Sequence, residues 1–244
     1  MSRVLAGHRP VLEALRGRTQ VRRVFVDSED RFRDIQEEAE RQGVRVSKKE
    51  RVDLDRMSEG TRHQGVVAMA EPYPFLELEE LTTTAGDGAI FVALDEITDP
   101  QNLGAIVRTA VTLGLDGVIV PKHRAAGITP AVVRASAGAT EHASVARVTN
   151  LQRSLLALQK DGAEVVGLDA NADIDIRELP PSHGTRVLVV GSEGKGLRRM
   201  VRQRCDIVVQ IPQKGPMDSL NASVAAAIAM HEVVGKHEGT RNDG

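Results

Sequence analysis

The chain has 244 residues, with 32 Lys and Arg against 34 Asp and Glu. Its formal net charge of −2 excludes a polycationic chain while leaving room for a local nucleic-acid face. Trp is absent, Tyr occurs once and Phe four times, so the core must be aliphatic and stacking-driven binding of single-stranded bases is not expected. A lone Cys205 excludes an internal disulfide and a multi-cysteine zinc site, no apolar run nears the ~20 residues that cross a bilayer, and MSRVLAGHRP is no secretory leader; a cytoplasmic protein with no membrane contact and no metal is expected.

GHRPVLEAL (7–15) predicts a helix with Val11, Leu12 and Leu15 on one face. VRRVFVD (21–27) alternates like a half-buried strand, RFRDIQEEAERQG (31–43) reads as a polar-faced helix ending at Gly43, and VRVSK (44–48) and GVVAMA (65–70) read as strands. The stretch 71–88 has two prolines, clustered acids and a Gly-Asp-Gly, which predicts a linker. From Ala89 strands and helices alternate. Strand-length β-branched runs lie at 89–96, 117–121, 145–149, 164–170, 186–191 and 206–212, with helix-length segments at 103–114, 130–143, 151–162 and 197–204 and a last helix over 219–237. This pattern predicts an α/β fold with a parallel sheet covered on both faces, where ligands sit at the carboxyl ends of the strands. The expected division is a small N-terminal α/β domain over 1–72, an acidic, Pro- and Gly-bearing linker over 73–88 and the larger domain over 89–240.

Three polar or glycine-rich stretches follow three of these strands. In DEITDPQNLGAIVRTA (95–110), Asn102 and Gly104 stand at a helix start and Arg108 one turn further on; a capped helix with a solvated arginine explains them equally well. VVGSEGKGLRRM (190–200) packs three glycines into six residues, which lets backbone approach a ligand. It lacks the spacing of a P-loop, and its GxxGxG order is not the dinucleotide-binding GxGxxG. A tight strand-to-helix turn accounts for its glycines but not for Glu193 between them. In IPQKGPMDSLNASVAAAIAM (211–230), Ser219 and Asn221 stand at the mouth of an Ala-rich helix, where both are natural N-caps. Together the three stretches can converge on one sheet edge with a carboxylate, a guanidinium, two amides and a hydroxyl.

NLGAIVRTA (102–110), GSEGKG (191–196) and IPx(6)SLNASVA (211–225), in that order, resemble the three signature motifs of the SpoU, or TrmH-like, branch of the SPOUT RNA methyltransferases. GHRPVLEAL and RHQGVVA (62–68) resemble the small L30e-like substrate-binding domain of the ribosomal-RNA members. The resemblance implies a catalytic domain with a C-terminal trefoil knot, which physical rules of topology would not predict. It implies S-adenosylmethionine as cofactor, with Gly191, Ile211 and Leu220 on the cofactor-contacting positions, and a homodimer. It implies ribose 2′-O-methylation, with Arg108 as the central catalytic residue, Asn102 and Glu193 orienting Arg108 and the ribose, and Ser219 and Asn221 holding the target nucleotide.

Because guanidinium groups keep their proton in proteins, an electrostatic clamp on phosphate and developing alkoxide suits Arg108 better than the role of base. His8, Arg9, Arg62, His63 and Gln64 are expected RNA contacts of the first domain. Arg198, Arg199, Arg202 and Arg204 are either phosphate contacts or a solvated helix face. The expected substrate is a guanosine of large-subunit (23S) ribosomal RNA. The alternatives are transfer RNA, an antibiotic-site adenosine of ribosomal RNA, and a non-catalytic RNA-binding relative.

Overall fold

The structure, a computed structural model, describes residues 2–216 and 219–237. In chain order its elements are β1 (Arg3–Ala6), α1 (His8–Arg16), β2 (Val21–Val26), α2 (Arg33–Arg41), β3 (Arg45–Lys48), α3 (Arg51–Met57), β4 (Val66–Ala70), α4 (Leu78–Ala85), β5 (Ile90–Asp95), α5 (Pro100–Thr112), β6 (Gly117–Pro121), α6 (Pro130–Ala135), β7 (Val145–Val148), α7 (Leu151–Lys160), β8 (Glu164–Leu168), β9 (Ile174–Asp175), β10 (Arg186–Gly191), α8 (Arg199–Arg202), β11 (Ile207–Gln210) and α9 (Ala222–Gly235). They fall into two compact units, residues 1–74 with 127–142, and residues 75–126 with 143–244. Residues 238–240 of the expected 89–240 domain lie outside the described residues, as do Met217 and Asp218 of the third motif.

The first unit holds a four-stranded sheet in the order β1-β4-β2-β3, with β4 antiparallel to β1 and β2, and β2 parallel to β3. Helix α1 buries Val11, Leu12 and Leu15, the face its sequence predicts. It starts after Gly7, whose φ of 108° is open to glycine and costly for other residues. Strand β1 and helix α3 were not anticipated: β1 is four residues long, and α3 buries one apolar residue, Leu54, too few to make a period. The 130–143 segment, expected as one helix, is helical only over Pro130–Ala135. Ala137 and Gly138 then take φ of 53° and 87°, and the chain ends in a single 3-10 turn at Ala139–Glu141. Consecutive left-handed residues break the helical ladder, and an Ala-rich composition does not reveal them.

That turn delivers Glu141 to a polar cluster closed to solvent. Arg3 donates to both Glu141 oxygens at 3.2 and 2.7 Å and to Thr19 at 2.8 Å, while the Thr140 hydroxyl donates to Glu141 at 3.1 Å. The Tyr73 hydroxyl donates to the Thr140 carbonyl at 2.8 Å, and burial raises its pKa above the ordinary phenol value, with the Glu141 charge adding to the rise. The interior of a protein accepts such a charge pair only when its polar atoms are answered locally.

The second unit is built on a seven-stranded sheet in the order β7-β6-β5-β10-β8-β11-β9, parallel throughout. Strands β5, β6 and β10 are buried along their whole length, as near-continuous apolar runs covered by helices should be. The stretch predicted as linker contains α4, with Leu81 buried against the core of this unit, and Leu76 bridges to Ala146 beside β7. The two-proline, acid-rich composition concealed these two apolar anchors.

Candidate functional site

Sheet register brings the motifs together. Strands β5 and β10 are neighbours, and Gly191, the last residue of β10, stands opposite Asp95, the last residue of β5. The polar turn after β5 and the glycine loop after β10 therefore leave the same sheet edge side by side. Helix α5 follows the first turn: Asp99 is its N-cap, accepting from the Gln101 amide at 3.1 Å, and Pro100 opens it. Helix α9 packs against α5. Its small buried residues Ala222, Ala226 and Ala229 permit a close approach of backbones, and Asn221 caps it by accepting from the Ser223 and Val224 amides.

Asn102, Glu193 and Asn221 meet where these elements converge. Asn221 Nδ2 donates to Asn102 Oδ1 at 3.0 Å and to Glu193 Oε2 at 3.2 Å, and Asn102 Nδ2 lies 3.5 Å from the same carboxylate oxygen. Asn102 is buried, whereas Glu193 and Asn221 are exposed. The cap and the cluster are one device, because Asn221 uses its oxygen on the helix and its amide nitrogen on the two partners. Arg108 lies on α5 with its side chain exposed, apart from this trio. The orienting contact expected from Asn102 and Glu193 to Arg108 is not made; they hold Asn221 instead. Among the described residues no carboxylate lies within the 4.0 Å of an ion pair from Arg108.

Beside the trio lies a cavity of about 560 Å³ at the carboxyl ends of β8 and β10. Gly191, Glu193, Ile211, Ser219 and Leu220 all line it, together with Asp169 and Lys195. Gly191 has a steric reason to be glycine. A Cβ there would stand 2.2 Å from the Gly196 carbonyl, because the loop folds back on itself with the Gly196 amide donating to the Ser192 carbonyl at 2.9 Å. Gly194 and Gly196 take φ of 75° and 63°, the left-handed turns that reverse the loop.

Sequence reasoning passed over the anchor of that loop. Asp95, buried at the end of β5, accepts from the Arg198 amide at 2.9 Å and from its guanidinium at 2.7 Å. Glu96, at φ 60°, receives Arg198 and Arg124 at 3.5 Å each. The loop is thus tied down at its far end by a buried carboxylate. The signal was present as the acid pair Asp95-Glu96 closing an apolar strand, but nothing in the sequence said which distant arginine would meet it. Arg198 is accordingly engaged with the protein, and Arg202 binds Asp169 at 3.2 Å, so the arginines after the glycine loop are not one free cationic face.

The expected RNA contacts of the first unit are largely in structural use. His63 is buried: its Nε2 lies 2.8 Å from Asp55, and its Nδ1 accepts from the Gly65 amide at 3.0 Å, which corrects its assignment as a surface contact. Gln64 Oε1 accepts from the His8 amide at 3.4 Å at the start of α1. His8 pairs with Asp34 at 2.8 Å. Burial pushes the Asp34 carboxyl upward, but the hydrogen bond and charge of His8 outweigh it and hold it below the ordinary carboxylate value. Arg9 and Arg62 remain exposed.

The fold is that of known RNA methyltransferases. The sequence pattern of the SpoU rRNA Methylase family matches residues 89–231, and that of the RNA 2′-O ribose methyltransferase substrate-binding domain matches residues 4–76. The chain belongs to the SpoU rRNA methylase family. A protein of Mycobacterium sp. (strain KMS), named as an uncharacterized tRNA/rRNA methyltransferase, is 43% identical over 237 residues, covering 94% of this chain and 75% of the relative. The crystal structure of the SpoU methyltransferase AviRb from Streptomyces viridochromogenes in complex with the cofactor AdoMet is similar with a TM-score of 0.79 and 29% identity, over 96% of this chain and 89% of that one. An AdoMet-bound rRNA methyltransferase from Sinorhizobium meliloti is similar with a TM-score of 0.81 and 25% identity, over 95% and 86%.

Proposed function

We propose that this protein transfers a methyl group from S-adenosylmethionine to a ribose 2′-hydroxyl of ribosomal RNA, a guanosine of the large subunit being the expected target. The observation that carries the reading is the closure of the second and third motifs on one cavity, with Gly191, Ile211 and Leu220 in its lining, and the joining of Asn102 of the first motif to Glu193 and Asn221 beside it. The cavity fits the cofactor in size, lying within the ~300–1,000 Å³ of small-molecule sites. It fits in chemistry, since its lining offers carboxylates, Asp169 (shared with Arg202) and Glu193, and a cation, Lys195, to a ligand that carries charges of both signs. The backbone of the glycine loop lies against it where side chains would fill the space. The family, the AdoMet-bound neighbours and the ribose-methyltransferase substrate-binding match support the same reading.

When bound, S-adenosylmethionine supplies an activated methyl group, so the protein's task is positioning and charge control. Arg108 offers a persistent cation to the RNA phosphate and to the oxygen that gains negative charge as the hydroxyl loses its proton. Glu193 and Asn221, exposed and only partly committed to each other, orient the ribose; Ser219 sits on the cavity wall to hydrogen-bond the nucleotide. We also assign RNA binding to residues 1–72 and catalysis to 89–240. Helix α9 carries Val224 and Ile228 one turn apart and 47% and 38% exposed, which supports pairing with a second copy of the chain.

The test is transfer of tritiated methyl to ribosomal RNA lacking the modification. Arg108→Ala should lower the rate about 10²–10³-fold while leaving cofactor affinity unchanged, and the product link should resist alkali because its 2′-oxygen is blocked. An alkali-sensitive product, or full activity in the variant, would overturn the reading.

A further inference from the structure

The first unit holds a groove of about 740 Å³ where β2 and β3 end, lined by four cations, Arg31, Lys48, Lys49 and Arg51, against two carboxylates, Asp27 and Glu50, with Ser28 between. Several other cations of the unit are paired with carboxylates. Arg3 is bound to Glu141, Arg16 and Arg41 to Glu38, and Arg56 to Asp53, each within 4.0 Å. In the groove Arg51 lies 3.9 Å from Asp27, but among the described residues no carboxylate forms an ion pair with Arg31, Lys48 or Lys49. Two of these three are held by aromatic rings: Arg31 stands 5.3 Å from the Phe32 centroid and Lys49 5.6 Å from that of Phe25. A ring positions a cation without neutralising it. Three like charges drawn from two elements and left uncompensated repel one another, a cost to the isolated fold that an anionic partner removes.

Lysine on an edge strand also blocks sheet-to-sheet pairing, and β3 is an edge strand. That role would need charge spread along the strand. It does not account for Arg31, which comes from the turn after β2 and joins the lysines at one end.

We propose that this groove binds the phosphate backbone of the RNA substrate, with Arg31, Lys48 and Lys49 as the phosphate-contacting cations. The inference rests on the reading that the chain acts on RNA and names a face for it, in place of the His8–Arg9 and Arg62–Gln64 stretches, most of which the fold employs itself. Recognition of this kind follows shape and charge, which suits a chain with few aromatic residues.

The experiment compares wild type, the triple variant R31Q/K48Q/K49Q and the charge-keeping triple variant R31K/K48R/K49R. Affinity for protein-free ribosomal RNA is measured over a series of salt concentrations, with thermal unfolding and S-adenosylmethionine affinity measured alongside. The Gln variant should bind RNA about a hundredfold more weakly at 0.1 M salt, and its log–log salt slope should be shallower by about 2, as three lost phosphate contacts imply. Its unfolding and cofactor affinity should match wild type, and the charge-keeping variant should keep affinity and slope. An unchanged slope in the Gln variant, or equal losses in both variants, would overturn the groove assignment. Wild type that binds RNA with this salt dependence yet transfers no methyl would overturn the enzymatic reading and leave the groove standing.

Discussion

The molecule contains two polar clusters assembled from residues far apart in the chain, and they are built to opposite ends. In the first unit Arg3, Thr19, Thr140 and Glu141 form a network in which Arg3 is 8% and Glu141 0% exposed, with bonds of 2.7–3.2 Å. In the second unit Asn102, Glu193 and Asn221 form a network whose base is buried and whose outer members are open, with contacts stretching from 3.0 to 3.5 Å. The closed network directs both terminal nitrogens of Arg3 to partners inside the chain, leaving only its buried Nε without one, and locks a segment from residues 127–142 onto β1. The open one keeps capacity for something outside the chain. Polar residues in contact mark function where their bonds are long and their outer faces wet, and structure where the bonds are short and the site is dry.

Two substitutions and a labelling measurement would break or sharpen that contrast. The largest effect is expected for Glu141→Ala, which strands Arg3 as a buried, unpaired cation; it should cost about 3–5 kcal/mol of unfolding free energy, read by denaturant titration. A loss below about 1 kcal/mol would mean that the cluster is not closed in solution. Next comes Glu193→Gln. Stability should stay within about 0.5 kcal/mol of wild type because the site is exposed, while methyl transfer should fall about tenfold, near the worth of one charge-assisted hydrogen bond. If this variant unfolded as readily as Glu141→Ala, the two clusters would be of one kind.

The smallest effect concerns Cys205, the one thiol, packed between α8 and the sheet. Burial, with the Asp206 charge adding to it, pushes its pKa up from 9.0 to about 12. A thiol-specific reagent at pH 8 should label it only at the rate of unfolding. Between these two values the unfolded chain ionises this thiol and the folded chain does not, so its contribution to stability is full below pH 9.0 and declines as pH rises. Rapid labelling of folded protein would show that the region opens locally.

Much of the second unit was legible because its signals are local. The β-branched runs became the strands of the sheet, and Asn221 stands at the helix start where its chemistry puts it, whereas α5 begins ahead of Asn102, at Pro100 with Asp99 as its cap. The residues of the three motifs were visible as polar or glycine-rich exceptions after apolar runs. What misled was composition read without partners. Residues 71–88 look like a linker, yet Leu76 and Leu81 anchor them. Ala-rich 130–143 looks like one helix, yet Ala137 and Gly138 turn left-handed. His63 looks like a surface residue and is buried.

By itself the sequence determined the elements, their alternation and the inventory of reactive groups, since propensity, periodicity and capping act over a few residues. Only the tertiary structure decided which of those groups are available. The register that sets Gly191 beside Asp95, the meeting of α5 with α9 that joins Asn102 to Asn221, and the Phe25 ring that holds Lys49 without neutralising it depend on contacts between distant parts of the chain. No local rule encodes such contacts, because their energies exist only once the sheet is formed and its neighbours are chosen.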